Sequence, residues 1–130
     1  MTKTHDFTIR AGNSGTTENE AGIILNLLVG ADPLDLTGQE VVFRVLRDGV
    51  QVLRKATGGG VTLANGTDAD GNASTVPNLI TVAITVTDSR ALEAAGGPLT
   101  YDIERRLGGA VQRTVLCGAI FIEPGANDDV

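Results

Sequence analysis

The sequence predicts an all-β domain, two antiparallel sheets packed face to face as a sandwich. Two segments alternate apolar and polar residues with the period of a half-buried strand: Leu79 to Val86 and Leu99 to Arg105. Between two further apolar runs sits Asp48-Gly49, a strong signal for a tight hairpin turn. The apolar stock points the same way. It is 42% of the chain with only 3% aromatic, so Val, Ile, Leu and Ala must fill the interior. Branched aliphatics fit a pleated surface better than a helix, and the 17 glycines suit a chain that turns often.

In chain order, Phe7 to Arg10 reads as a short first strand. Ala21 to Val29 is nearly continuously apolar, which predicts a central strand covered on both faces. Val41 to Leu46 and Gln51 to Lys55 flank the Asp-Gly turn as hairpin partners. Loops are expected over Gly12–Glu20, Gly30–Gly38, Thr57–Pro77 and Pro124–Val130, with Val61 to Leu63 as a short strand inside the third. In the strand Leu79–Val86, Ile80, Val82, Ile84 and Val86 face inward. One helix, Ser89 to Ala95, takes a capping oxygen from Thr87-Asp88 and stops at Gly96-Gly97. Being so short, it must lie against the sheets, anchored by Leu92. Pro98 restarts extended chain. Leu99, Tyr101 and Ile103 then face inward, with Thr100, Asp102 and Glu104 outward. Val111 to Ile122 forms the final strand, with a bend expected at Gly118. The short helix thus precedes the penultimate strand. Residues 1–130 form one domain, its core spanning about 7–123 between polar tails.

Charge narrows the partners. Asp and Glu number 16 against 10 Lys and Arg, a formal net charge of −6. No basic cluster exceeds Arg105-Arg106, so neither nucleic acid nor an anionic membrane surface is an expected partner. No stretch approaches the ~20 apolar residues of a membrane span, and the opening MTKTHDFTIR lacks the apolar segment of a signal peptide. Cys117 is the single cysteine, so no internal disulfide forms.

Catalytic chemistry finds little to stand on. General-base and nucleophilic mechanisms need an oriented base, and the only histidine, His5, lies in a polar terminal segment. Asp68-Ala69-Asp70-Gly71-Asn72 places oxygen ligands at the first, third and fifth positions of a calcium loop. Ala73 and Leu79 then stand where that loop needs Gly and Glu, so Asp68, Asp70 and Asn72 are only a weak metal candidate and a polar turn is the better reading. Gly58-Gly59-Gly60 lacks the Lys-Ser/Thr of a phosphate cradle, and Asp128-Asp129 solvates the tail. No catalytic set, metal site or cofactor is expected. The residues expected at subunit interfaces are Phe7, Ile9, Asp68, Asp70 and Pro124, from the N-terminal segment, the long loop and the C-terminal tail.

Three segments in order carry a resemblance. Leu36-Thr37-Gly38-Gln39-Glu40-Val41-Val42-Phe43-Arg44-Val45 resembles the entry into the second strand of tailed-phage virion domains. Thr87 to Ile103, with its short helix followed by Gly97-Pro98-Leu99-Thr100-Tyr101-Asp102-Ile103, looks like their helix and next strand. Thr114 to Ile122 looks like their closing strand. The nearest group is the immunoglobulin-like N-terminal domain of phage upper-baseplate proteins, and the pattern spans roughly Leu34 to Glu123. Phe7 to Val29 falls outside it. The resemblance implies an immunoglobulin-like antiparallel β-sandwich acting as a non-enzymatic structural protein of a tailed phage or prophage particle, in its tail, baseplate or neck. It further implies a product of the bacterial host cytoplasm that packs in the virion against other virion proteins and copies of itself. A capsid decoration or head-fibre protein is the alternative within the particle. A ligand- or carbohydrate-binding module is the alternative of another class, and it is poorly served by a chain with no Trp, one Tyr and three Phe.

Overall fold

The computed structural model describes residues 3–4, 6–10, 23–108 and 110–123. The order of elements is β1 (Lys3–Thr4), β2 (Phe7–Arg10), β3 (Ile23–Asn26), β4 (Leu28–Val29), β5 (Asp32–Pro33), β6 (Glu40–Arg47), β7 (Val50–Thr57), β8 (Gly60–Thr67), β9 (Ala73–Val82), α1 (Val86–Ala95), β10 (Leu99–Leu107) and β11 (Ala110–Glu123). The fold is all-β with one short helix ahead of the penultimate strand, as the alternation predicts. A single hydrogen-bonded path runs β1-β11-β10-β6-β7-β8-β9-β3, with β2 also on β11, and β4-β5 form a separate small hairpin. The path curls so that its two halves face each other. Phe43, Val45, Tyr101, Ile103 and Ile120 from the first half share one buried cluster with Ile23, Val61, Ile80 and Val82 from the second.

Among the described strands most pairings are antiparallel, but three are parallel: β1 and β2 on β11, and β7 on β8. The last of these is the corner of the curl. Only Ala56↔Gly60 and Thr57↔Val61 pair there, so the chain leaves one layer and starts the next within a few residues. Gly60 allows it, with φ +105° and the Lys55 side chain packed where a Cβ would stand. At the other end of β7, Asp48 and Gly49 both take positive φ, 52° and 81°. That is the two-residue turn expected of Asp-Gly, and its twist matches the strands it joins.

Several boundaries differ from the sequence reading. Ala21–Val29 was expected to be a covered central strand. Instead Ile23–Asn26 pairs only with β9 among the described strands, and its exposure alternates. Two exposed apolar residues in a row, Leu28 and Val29, belong to the small hairpin and produced the apolar run. The expected Thr57–Pro77 loop is mostly the β8–β9 hairpin. The short strand expected at Val61–Leu63 is there as the start of β8, while the Thr, Asn, Gly and Ser content hid the rest of β8 and the first half of β9, joined by a turn at 68–72. The strand predicted to reach Val86 ends at Val82, because Thr85 rather than Thr87 caps the helix. No bend interrupts β11 at Gly118, which lies opposite Tyr101; the register shifts fall instead between Ile103 and Glu104 and between Arg105 and Arg106.

The second layer is organised by one buried amide. Asn78 is fully buried, and its Nδ2 donates to the carbonyls of Leu27 and Thr67, each at 3.0 Å. Its Oδ1 accepts the Gly66 N–H at 2.7 Å. Asn26 completes the knot, donating to the Thr67 carbonyl at 3.0 Å and accepting the Thr67 N–H at 2.8 Å. These bonds satisfy backbone groups that two register shifts in β8 and β9, after Ala64 and after Asn65, remove from the ladder. A Cβ on Gly66 would lie 2.1 Å from Asn26 Oδ1, so the knot closes only over glycine. Asn78→Ala is expected to destabilise the domain by about 2–3 kcal/mol, the cost of stranding buried backbone groups. Thermal melts followed by circular dichroism check this; an unchanged midpoint would show that the amide is not a clamp.

Candidate functional site

The first half of the path presents a charged outer face. Arg44 on β6 grips Asp102 on β10 with two prongs, Nε to Oδ1 at 2.9 Å and Nη2 to Oδ2 at 2.6 Å. Arg44 Nε also lies 3.7 Å from Glu104 Oε1, which accepts Arg106 Nη2 at 2.7 Å. Arg44↔Asp102 are direct cross-strand partners, and Asp102, Glu104 and Arg106 share one side of β10 at period two. The hydrogen bonds that Arg44 donates to Asp102, opposed by burial, hold the guanidinium above its ordinary pKa. Glu104, expected to be solvated, is only 7% exposed because its two arginines cover it. The charges of these four residues cancel, and Arg54, the cross-strand partner of Arg44 on β7, stands exposed beside them.

The helix is fastened to the edge of that face. Thr85 Oγ1 accepts the Asp88 N–H at 3.0 Å, and Asp88 Oδ2 accepts the Thr85 N–H at 2.9 Å, a reciprocal capping box. The same Oδ2 receives Lys55 Nζ from β7 at 2.6 Å. Burial raises the Asp88 pKa, but the Lys55 and Thr85 hydrogen bonds outweigh it, and the carboxyl ends below its ordinary value. Between the C-terminal end of α1 (Leu92, Gly96, Gly97) and the end of β11 (Ala119, Phe121) lies a groove of about 400 Å³. Phe121, 56% exposed, stands at its wall.

The residues singled out from sequence separate into different places. Phe7 is not on a surface. Its ring is buried against Tyr101, centroids 5.2 Å apart, because β2 docks in parallel on β11 and turns that side chain inward. Burial, with Cys117 and Asp6 nearby, pushes the Tyr101 hydroxyl above its usual pKa. Ile9 occupies a strand position opposite Ile122. Asp68, Asp70 and Asn72 do come together, in the β8–β9 turn, far along the sheet path from Phe7. There Asp68 Oδ1 accepts the N–H groups of Asp70 and Asn72, each at 2.9 Å. Those backbone bonds, the one from Asn72 first, hold the Asp68 carboxyl below its usual pKa. One of the two Asp68 carboxylate oxygens is thus committed to the turn. Cys117 is partly buried on β11, opposite Asp102. His5, Pro124 and Asp128-Asp129 lie outside the described residues. Among the described residues no three His, Cys, Asp or Glu side chains converge to hold a metal ion.

Two surfaces escaped the sequence reading. One is the second edge of β7. Among the described residues nothing pairs with it from Val50 to Lys55, and Val50 is 66% exposed beside Val52. The other is the outer face of β8, β9 and β3, whose strands contain no charged residue. Both were hidden because residues 57–77 read as a loop, which concealed where the first layer ends. These features define a curled all-β domain with committed polar side chains and open sheet surfaces. Comparison with protein-family models, with curated proteins and with solved structures finds no match.

Asp88→Asn is expected to lower stability at neutral pH by about 1 kcal/mol, the usual size of a capping interaction. A carboxyl whose folded pKa is depressed stabilises the fold above its unfolded pKa and loses that contribution as pH falls through the folded value. The gap between wild type and Asp88→Asn in melting temperature is therefore expected to hold at pH 6–7 and to close as pH falls below 3.8, the carboxyl's ordinary value. A gap independent of pH would contradict the role given to this carboxylate.

Proposed function

We propose that the chain is a non-enzymatic structural protein of a tailed-phage or prophage particle, a tail, baseplate or neck component that works by packing against neighbouring subunits. The observation that carries the reading is the open edge of β7. An unpaired edge is a row of N–H and C=O groups that a strand from another chain completes. Natural monomers blunt such edges with charge, proline or cover; here Arg54, Lys55 and the helix guard one end of β7, while Val50 and Val52 stand exposed at the other. The register shift between Val45 and Leu46 sets Val52 out of step, so the strand added there is short. The immunoglobulin-like resemblance of Leu36–Val45, Thr87–Ile103 and Thr114–Ile122 supplies the kind of assembly, and the polar chemistry suits it. Arg44, Asp102, Glu104, Arg106, Asp68 and Asp88 all have internal partners, so the reading rests on the backbone edge rather than on these six side chains.

The test is made on particles. Virions from a host carrying the gene are expected to contain the chain in fixed stoichiometry by quantitative mass spectrometry. Deleting the gene is expected to remove a defined density from the tail, baseplate or neck in electron micrographs. Infectious, morphologically unchanged particles lacking the chain would refute the proposal.

A further inference from the structure

Asn65-Gly66 is the only Asn-Gly pair in the sequence. Before glycine, an asparagine side chain is open to attack by the next backbone nitrogen, because no Cβ shields that nitrogen. Every other asparagine is followed by a residue with a side chain, as Asn26 is by Leu27 and Asn78 by Leu79. Asn65 is exposed on β8. The glycine after it is fixed by the knot, since a Cβ there would collide with Asn26 Oδ1 and lie 3.0 Å from Asn78 Oδ1. The knot thus imposes the reactive pair. It also restrains it. The Gly66 N–H donates to Asn78 Oδ1 at 2.7 Å, so the nitrogen that would attack is held by a buried amide. The ladder offers little beside this. Asn65 lies opposite Pro77, which has no N–H, and register shifts fall on both sides of Asn65.

We propose that Asn65 is a site of spontaneous deamidation whose rate is set by local opening of the Asn78 knot. The inference does not depend on the assembly reading given above. While Asn78 holds Gly66, the amide proton stays in a buried hydrogen bond and the nitrogen is no nucleophile. When the knot opens, hydroxide removes that proton and the Gly66 nitrogen attacks Asn65 Cγ. A C–N bond forms, and the side-chain nitrogen takes a proton from water and leaves as ammonia. The product is a cyclic succinimide. Water adds to one of its two carbonyls and the ring opens, to aspartate or to isoaspartate. The sum is asparagine and water giving a carboxylate and ammonium, with no oxidant and no enzyme. Either product puts a negative charge into β8, whose eight residues carry none. Isoaspartate also lengthens the main chain by one carbon ahead of Gly66, which carries that N–H away from Asn78 Oδ1. The change runs one way, so an opening of the second layer leaves a permanent mark at Asn65.

Peptide mapping by mass spectrometry, on the full chain incubated at mildly alkaline pH, tests this. Folded wild type is expected to convert Asn65 at least about tenfold more slowly than the same chain unfolded in urea. Asn78→Ala is expected to speed conversion in the folded chain by about tenfold or more over wild type. Leu92→Ala loosens the core at the helix and leaves the knot in place. It is expected to stay within about twofold of wild type at Asn65. If either variant fails to fold, native-state hydrogen exchange on the wild type decides. The Gly66 N–H is then expected among the slowly exchanging amides, despite its exposed neighbour. Wild-type conversion at the unfolded rate overturns the inference. So does a folded Asn78→Ala that converts no faster than wild type, or a Leu92→Ala that converts as fast as Asn78→Ala. A Gly66 N–H that exchanges freely overturns it as well.

Discussion

The second layer depends on a single amide buried among aliphatic side chains. Asn78 binds the β3 exit through the Leu27 carbonyl and the β8 bulge through Gly66 and Thr67. Asn26 repeats the contact from the neighbouring strand. A sheet edge with irregular register would otherwise leave several backbone groups in the interior without partners, and each of those is costly. The amide has both donors and an acceptor, so one side chain serves groups on two strands at once. Valine or leucine at this position would pack but bind none of them. The small β4–β5 hairpin inherits its place from the same knot, since the Leu27 N–H bonds to the Asn78 carbonyl and the Leu36 N–H to that of Pro77.

The layers are joined by a different device. The chain turns the corner over Thr57 to Gly60, where backbone bonds between Ala56 and Gly59 and between Gly58 and Val61 hold the turn. Lys55 lays its stem across Gly60 and reaches Asp88, which in turn holds Thr85 and the first turn of α1. A strand edge, a glycine corner and a helix N-terminus are thereby one unit. The helix is too short to persist alone, and Leu92, fully buried, seats it on the common core.

Alternation is a local property, and where it governed, the sequence was easy to read. Leu99, Tyr101 and Ile103 are buried as their spacing implies, and Asp48-Gly49 makes its turn. The single core was legible from the aliphatic stock, and the short helix from its capping residues and the glycines after it. What failed was non-local or compositional. Asn78 sits at an inward position of β9 where an amide argues against a strand, and only its partners from β3 and β8, 52 and 12 residues away, make it tolerable. Beyond Val61–Leu63, residues 64–67 look like a loop because they are Ala, Asn, Gly and Thr, small uncharged residues common to turns and to neutral sheet faces. The short, polar segment around Phe7 suggests an interface position, and nothing local announces that a parallel partner waits at Ile120. Candidate surfaces were the least legible part, because an edge exists only by virtue of which strands do not pair.

The pairing of β1 and β2 with β11 has a consequence for how the molecule is made. Asp6 accepts a hydrogen bond from the Ala119 N–H, 113 residues further along, and Phe7 closes over Tyr101. A ribosome delivers the chain from its N-terminus, so the first strands to emerge have no partner until the last one follows. Contacts this distant are the slowest to close. The parallel pairing of β1 and β2 with β11 is therefore expected to be among the last contacts of the sheet to close, after the local hairpins on either side of it.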